Sequence, residues 1–182
     1  MFDCAPISDG AASLVLCPLE DAKKYTDSYV KVSAVTQASD SLALFQREDI
    51  TTYGATVAAA QQAYQQVGIT PKDIQVAEVH DTYTVAGIMA LQDLGFYKRG
   101  EAGKAVMEER CHIGGDIAIN TSGGLKARGH PIGATGVAQI VEITEQLRGS
   151  ADKRQVPNAK YGLAQSSGGM GSAVTVSILE AI

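Results

Sequence analysis

The alternation of apolar and polar positions divides the chain into predicted strands and helices. Apolar or β-branched runs predict five strands, of which the first is expected to be buried. They lie at 11–17 (AASLVLC), 29–38, 74–79, 160–165 and 172–179. Helical patterns separate them at 19–25, 52–67, 84–94 and 135–148. This order predicts an α/β fold with a mixed, mostly parallel five-stranded sheet covered by helices, closed by a C-terminal hairpin.

The predicted helix at 135–148 has the clearest periodicity. Its apolar positions share one face at i, i+3, i+4 spacing and should face the core; they are Val137, Ile140, Val141, Thr144 and Leu147. Gly149 is a typical residue for the end of this helix. The polar stretch before residue 55 reads as a loop with a helical turn, suited to binding or contact.

Length and composition favour one domain spanning residues 1–182. The 182 residues are 45% hydrophobic, which suits a single core or a piece of a larger domain. The net charge of -5 comes without a basic stripe, so nucleic acid is not an expected partner. No apolar run is long enough for a membrane span, and no signal peptide is recognisable, which favours the cytoplasm.

Cysteine usage argues against a disulfide framework or a metal site. The three cysteines, Cys4, Cys17 and Cys111, are widely spaced and form no CxxC pair. The simplest interpretation is that all three are small buried apolar residues. No metal site is predicted.

The stretch Gly129-His130-Pro131 places an imidazole in a stiff frame just before a helix. The glycines at 129, 133 and 136 do not match GxGxxG, and no Walker A lysine follows. Gly129 permits close approach of another chain or a ligand, and Pro131 restricts His130 to an extended conformation. A histidine held in this way suits catalysis, although a core histidine packed at a turn would have the same sequence.

A second histidine, His80, lies where a strand meets a helix, at the edge of the sheet where α/β folds gather ligands. We expect it to share a pocket with His130. Asp81 is interpreted as the N-cap of the following helix, and Tyr83 is either a core aromatic or a functional residue. His112 is interpreted as structural or exposed.

Four segments together resemble the C-terminal half of the thiolase family. They are DCAPISDGAA at 3–12, HDTY at 80–83, NTSGG followed by GHPIGATG at 120–136, and SSGGMGS at 166–172. They occur in family order and cover essentially the whole chain. HDTY resembles the HDCF loop of the sterol-carrier-protein and archaeal thiolase branch.

The resemblance implies a layered α/β half whose active site lies between two similar halves. His130 would activate a cysteine supplied by the N-terminal half, and His80 would complete an oxyanion hole, directly or through water. Gly168 and Gly169 would face the second thioester oxygen. Thr82, Tyr83, Ser122 and Gly129 are also expected at the substrate. The substrate would be an acyl thioester of coenzyme A, with no further cofactor.

Two departures from the family pattern leave the chemistry open. No cysteine occupies a nucleophile-like loop, so the nucleophile would come from a separate N-terminal half. Ser166 and Thr82 stand where the family has an acid/base cysteine, and an alcohol is a far weaker acid than a thiol. Tyr83 is a candidate substitute.

The leading hypothesis is a thiolase-like half that is inactive alone and binds its companion or another copy. The alternatives are a non-catalytic acyl-CoA-binding or scaffolding partner and an acyl-CoA retro-aldolase.

Overall fold

The helices surround a sheet whose edges set the position of the predicted site. The computed structural model describes residues 2–182. Its α-helices are α1 (Gly54–Val67), α2 (Thr84–Asp93), α3 (Ala102–Met107), α4 (Gly124–Arg128) and α5 (Thr135–Arg148). Short 3-10 helices span Leu19–Lys24, Leu44–Gln46, Pro71–Asp73, Asp152–Arg154 and Gly169–Gly171. No helix among residues 2–182 is long and apolar enough to cross a membrane.

The five-stranded sheet confirms the α/β prediction, but it is not mostly parallel. The strands are β1 (Val30–Ser39), β2 (Val76–Glu78), β3 (Ala118–Ile119), β4 (Tyr161–Gly168) and β5 (Ala173–Ala181), in the order β1-β5-β4-β2-β3. The β1–β5 and β5–β4 pairs are antiparallel, whereas β4–β2 and β2–β3 are parallel. Strand β3 lies where the sequence pattern predicted neither a strand nor a helix, because two residues carry too little periodicity.

Helices cover both faces of the sheet. The larger apolar cluster joins α1 and α2 to one face through Ala59, Leu91, Leu163 and Ile178. The smaller cluster joins α5 to the other face through Ile143, Val76 and Leu179. The parallel pair β4–β2 therefore lies between two packed layers, and its carboxyl ends open toward the start of α2 and the loop before α5.

The expected buried strand at 11–17 is wrong. This segment has no regular secondary structure, and Val15 and Leu16 are 99% and 76% exposed. Its apolar residues have no sheet to pair with among residues 2–182, so the local pattern is strand-like without a strand partner. Cys17, expected at a strand end, is likewise exposed.

Helix α5 forms as predicted, but it buries a different face. The inward positions include Gln139, Glu142 and Gln146 together with Ile143 and Leu147. These polar residues are tolerated inside because each makes hydrogen bonds; for example, Gln146 Nε2 donates to the Arg154 carbonyl at 2.7 Å. The face carrying Val137, Ile140, Val141 and Thr144 stays partly exposed.

The difference in burial between Leu163 and Leu16 predicts different losses of stability when each side chain is truncated. Leu163→Ala removes a fully buried side chain and should lower the free energy of unfolding by about 3 kcal/mol. The matched control Leu16→Ala should change it by less than about 0.5 kcal/mol, because that side chain is exposed. Urea denaturation of the 182-residue chain measures both. Equal losses would contradict the exposed placement of 11–17.

Candidate functional site

His80 lies just past the carboxyl end of β2, where the ladder with β4 has stopped. The last β2–β4 pair is Glu78 with Ala164. The His80 backbone N–H instead donates to Gln165 Oε1 at 2.9 Å. The imidazole is 8% exposed, and its Nδ1 has no hydrogen-bond partner within residues 2–182. His80 is therefore held in place by its backbone and its packing.

His130 is fixed by the frame that the sequence predicted. Gly129 has φ 88°, a conformation that favours glycine, and a Cβ there would press on Ser8. The His130 Nδ1 lies 2.8 Å from Thr135 Oγ1. The Thr135 hydroxyl donates its own hydrogen to the Pro131 carbonyl at 3.1 Å, so its oxygen accepts a hydrogen bond from Nδ1–H. We infer that the neutral ring carries its proton on Nδ1 and leaves Nε2 free to accept one.

The two imidazoles meet edge to face. Their ring centroids are 5.1 Å apart, and the planes cross at 86°. Burial, with a smaller contribution from His130, lowers the pKa of His80 to about 4. Burial, followed by the Arg128 charge, also lowers the pKa of His130. Both rings are thus neutral near pH 7, one as a potential hydrogen-bond donor and the other as a potential base.

Hydrogen bonds to three side chains join the end of β2 to residues 120–125, the segment that leads through α4 to His130. Asn120 Oδ1 accepts from Val79 N at 2.7 Å, and Asp81 Oδ1 accepts from Leu125 N at 2.8 Å. The third, Glu78, accepts from Ser122 Oγ at 2.6 Å and from Ser122 N at 3.1 Å.

The N-cap interpretation of Asp81 is therefore wrong. Its carboxylate binds the backbone at the start of α4, while the start of α2 is bound by Asp3, which accepts from Thr84 N at 3.2 Å. The spacing in sequence could not reveal a cap supplied by a distant segment.

The N-terminal segment links the same two loops from outside. Ala5 N donates to the Thr82 carbonyl, and His130 N donates to the Pro6 carbonyl, each at 2.8 Å. Isolated bridges pair Cys4 with Tyr83 and Ile7 with His130. The 3–12 motif thus contacts both predicted catalytic loops.

These elements enclose a cleft of about 460 Å³. Of the residues predicted from sequence, those that line it are His80, Thr82, Tyr83, His130, Gly168 and Gly169. Ser122 and Gly129 do not. Ser122 is bound to Glu78, and Gly129 faces the N-terminal segment. Their predicted contact with substrate has no support from this placement.

The cleft is rich in hydroxyl groups, and sequence reasoning missed several of them. Hydroxyl-bearing side chains lining it are Tyr53, Thr82, Tyr83, Thr135, Ser166, Ser167 and Thr175. Tyr53, at the start of α1, is held by a 2.8 Å bond from its N–H to Asp93 Oδ2, and Arg47 stacks on its ring. A Cβ on Gly171 would overlap the Tyr53 ring, so this glycine permits the contact. In the sequence, Tyr53 is a tyrosine near the start of a predicted helix, and nothing in the local pattern indicates that it lines the cleft.

No thiol among residues 2–182 lines the cleft. Cys4 and Cys17 are exposed, contrary to the expectation that all three cysteines are buried, and only Cys111 lies in the core. Burial raises the pKa of the Cys111 thiol. Within the described residues, no group of three or more His, Cys, Asp or Glu side chains could hold a metal ion. The groups available for chemistry are two imidazoles, hydroxyls and backbone N–H groups.

Comparison with known proteins shows which family this chain resembles. Residues 36–181 match the family described as "Thiolase C-terminal domain-like". The acetyl-CoA acetyltransferase of Methanothermobacter thermautotrophicus is 51% identical over 178 residues, which cover 98% of this chain and 46% of that protein. Sterol carrier protein 2 of Homo sapiens is 37% identical over 98% of this chain and 33% of its own length. The chain therefore spans half or less of these relatives.

A solved structure also superposes well. The protein named Ltp2-ChsH2(DUF35) aldolase has a TM-score of 0.81 and 26% sequence identity, covering 90% of this chain and 42% of that one.

The low pKa of His80 predicts a pH-dependent stability. The unfolded imidazole takes up a proton below its ordinary pKa of 6.5, whereas the folded one does so only near 4. Folded stability is therefore lost as the pH falls from 6.5 to 4, by roughly 3 kcal/mol. Burial raises the pKa of Glu78 to about 7, which acts in the opposite direction in this range.

The difference between wild type and His80→Gln isolates the histidine. Urea denaturation at several pH values should show a shallower acid loss in this variant. His112→Gln, at an exposed histidine, is the matched control and should follow the wild type. Parallel curves for wild type and His80→Gln would contradict a neutral buried imidazole.

Proposed function

This chain belongs to the thiolase C-terminal domain family, and we propose that it is the half of an acyl-CoA acyltransferase that supplies His130 and His80. The reaction would make or break a carbon–carbon bond in an acyl thioester of coenzyme A. The observation that carries the proposal is the facing pair of neutral imidazoles in one cleft.

The chemistry needs a base that acts near neutral pH. A cysteine nucleophile becomes a thiolate when an imidazole accepts its proton. The free Nε2 of His130, with Nδ1–H directed to Thr135, suits that role. Because the described chain has no thiol in the cleft, the nucleophile would come from a companion half.

His80 suits stabilisation of a developing oxyanion. A neutral imidazole carries one N–H and can donate one hydrogen bond without first gaining a proton, and a buried donor is stronger than the same donor in water. Gly168 and Gly169 lie in the same cleft, where their backbone could face a second oxygen. This division of roles is the one that the family resemblance implies.

Uncovered apolar surface supports a companion. The 11–17 segment and the outward face of α5 are both apolar and incompletely buried. Ala11, Ala12 and Val141 line one cavity between them. In isolation, these surfaces should promote self-association, which fits an oligomer or a two-part protein.

The first test combines this chain with a thiolase N-terminal half that carries the nucleophilic cysteine. The 182-residue chain alone should not cleave acetoacetyl-CoA, and the assembled protein should produce acetyl-CoA from acetoacetyl-CoA and coenzyme A. His130→Gln should lower kcat/KM by about 1000-fold or more, because the base is lost. Robust turnover by the chain alone would contradict the proposal, and an inactive complex that still binds acyl-CoA would favour a scaffolding partner.

A retro-aldol reaction is the second candidate. The absence of a thiol in the cleft favours it, as does the likeness to a protein named an aldolase. Tyr83 is 41% exposed and its hydroxyl could carry the proton that such a cleavage moves. Tyrosine is a stronger acid than serine or threonine, so Tyr83 suits this role better than Thr82 or Ser166.

The two functions make different predictions for Tyr83→Phe in the assembled protein. If the chain serves a retro-aldolase, cleavage of a β-hydroxyacyl-CoA should fall by about 100-fold or more, because the proton carrier is lost. If it serves a thiolase whose companion half supplies the group that carries the proton, acetoacetyl-CoA cleavage should change by less than about threefold. Tyr25→Phe, at an exposed position far from the cleft, is the matched control for both assays. An unchanged rate in both assays would exclude Tyr83 as an acid or base.

A further inference from the structure

Gln165 occupies the point where β2 leaves the sheet. The β2–β4 ladder ends at Glu78 and Ala164, so the His80 N–H has no strand carbonyl to bind. Gln165 Oε1 accepts that N–H at 2.9 Å, in a buried environment. A buried N–H without an acceptor is costly, so this side chain determines where the His80 backbone can lie.

Gln165 is itself held from both faces of the sheet. It is 1% exposed, and its Nε2 contacts Thr56 Oγ1 on α1 at 3.4 Å. Its backbone carbonyl accepts from Gln139 Nε2 on α5 at 3.0 Å. The contact with α5 thus fixes the backbone of β4 at this residue, and burial together with Thr56 restricts the carboxamide.

We propose that Gln165 is the positioning residue for His80. Its carboxamide replaces the missing rung of the ladder and holds the His80 backbone so that the imidazole faces His130 across the cleft. Since His80 Nδ1 has no partner of its own in the described chain, no polar contact at that atom can substitute for the backbone bond. The catalytic consequence rests on the proposed function, whereas the positioning can be measured without turnover.

The chain contains a matched control at the opposite end of the same strand. Gln75 Oε1 accepts from Lys160 N at 2.9 Å and from Tyr161 N at 2.8 Å. It therefore also completes backbone hydrogen bonding where β2 meets β4, but far from the cleft. Gln75→Met removes an equivalent carboxamide without touching either imidazole.

The test is NMR on the 182-residue chain, whose three histidines give few signals. Where a companion half is needed for solubility, the same spectra are recorded on the complex. Gln165→Met should speed amide exchange at His80 by about tenfold or more and move the His80 imidazole resonances. Gln165→Glu should restore both, because a carboxyl oxygen accepts the N–H in either protonation state. Gln75→Met should leave both unchanged.

Two results would overturn the proposal. One is exchange at His80 that stays within about twofold of wild type in Gln165→Met. The other is an equal change in Gln75→Met. If Gln165→Met does not fold, Thr56→Val loosens the carboxamide while keeping it, and the His80 signals should shift in the same direction. No shift there would count equally against the proposal.

Turnover of the assembled protein gives a second readout. Gln165→Met should lower kcat by roughly 10- to 100-fold while KM changes by less than about threefold, because a misplaced His80 affects the transition state. An inactive wild-type complex would argue against the proposed function, and the NMR result would still decide the role of Gln165. Normal kcat combined with altered His80 signals would limit Gln165 to structure.

Discussion

The site depends on side-chain hydrogen bonds that connect two loops, because the backbone hydrogen bonds of the sheet do not reach them. Strand β2 pairs with β3 over only two residues, so the loop that carries His130 cannot be positioned by a long ladder. Side chains of Asn120, Asp81 and Glu78 make the connections instead. Because each bond is at least partly shielded from water, its loss would leave a polar group poorly satisfied. Because breaking these hydrogen bonds costs free energy, the two loops stay together and the distance between the two imidazoles is fixed.

Burial lowers the pKa of both imidazoles, and this explains why they can act as a hydrogen-bond donor or a base rather than carry a positive charge. A histidine in water titrates near neutral pH, but burial makes the proton affinity of the His80 imidazole much weaker. Its neighbour His130 is less buried and directs Nδ1 to Thr135. Similar side chains thereby acquire different roles from their surroundings. The buried backbone bond to Gln165 adds no charge, so it fixes His80 without reversing this effect.

The sequence predicted most elements and the residues of the cleft, and its errors have a common physical origin. His80, His130, Thr82 and Tyr83 follow from strand ends, turn residues and family resemblance. The burial of 11–17 and the inward face of α5 did not follow, because periodicity records where apolar residues lie and not what covers them. Asp81 and Tyr53 escaped prediction since their partners are distant in sequence.

The hydroxyl-rich cleft bears on one step of the proposed reaction, the transfer of a proton at carbon. In the proposed function, imidazoles and backbone N–H groups would act on the thioester oxygens, and this part of the site does not need a thiol. Proton transfer at carbon, by contrast, depends on a thiol in the family pattern, because serine and threonine ionise far too weakly to replace a cysteine. A phenol is closer in acidity, and Tyr83 and Tyr53 both border the cleft. The two proposed reactions, acyl transfer and retro-aldol cleavage, thus differ in the group that would carry that proton, while both proposals share the binding of an acyl thioester.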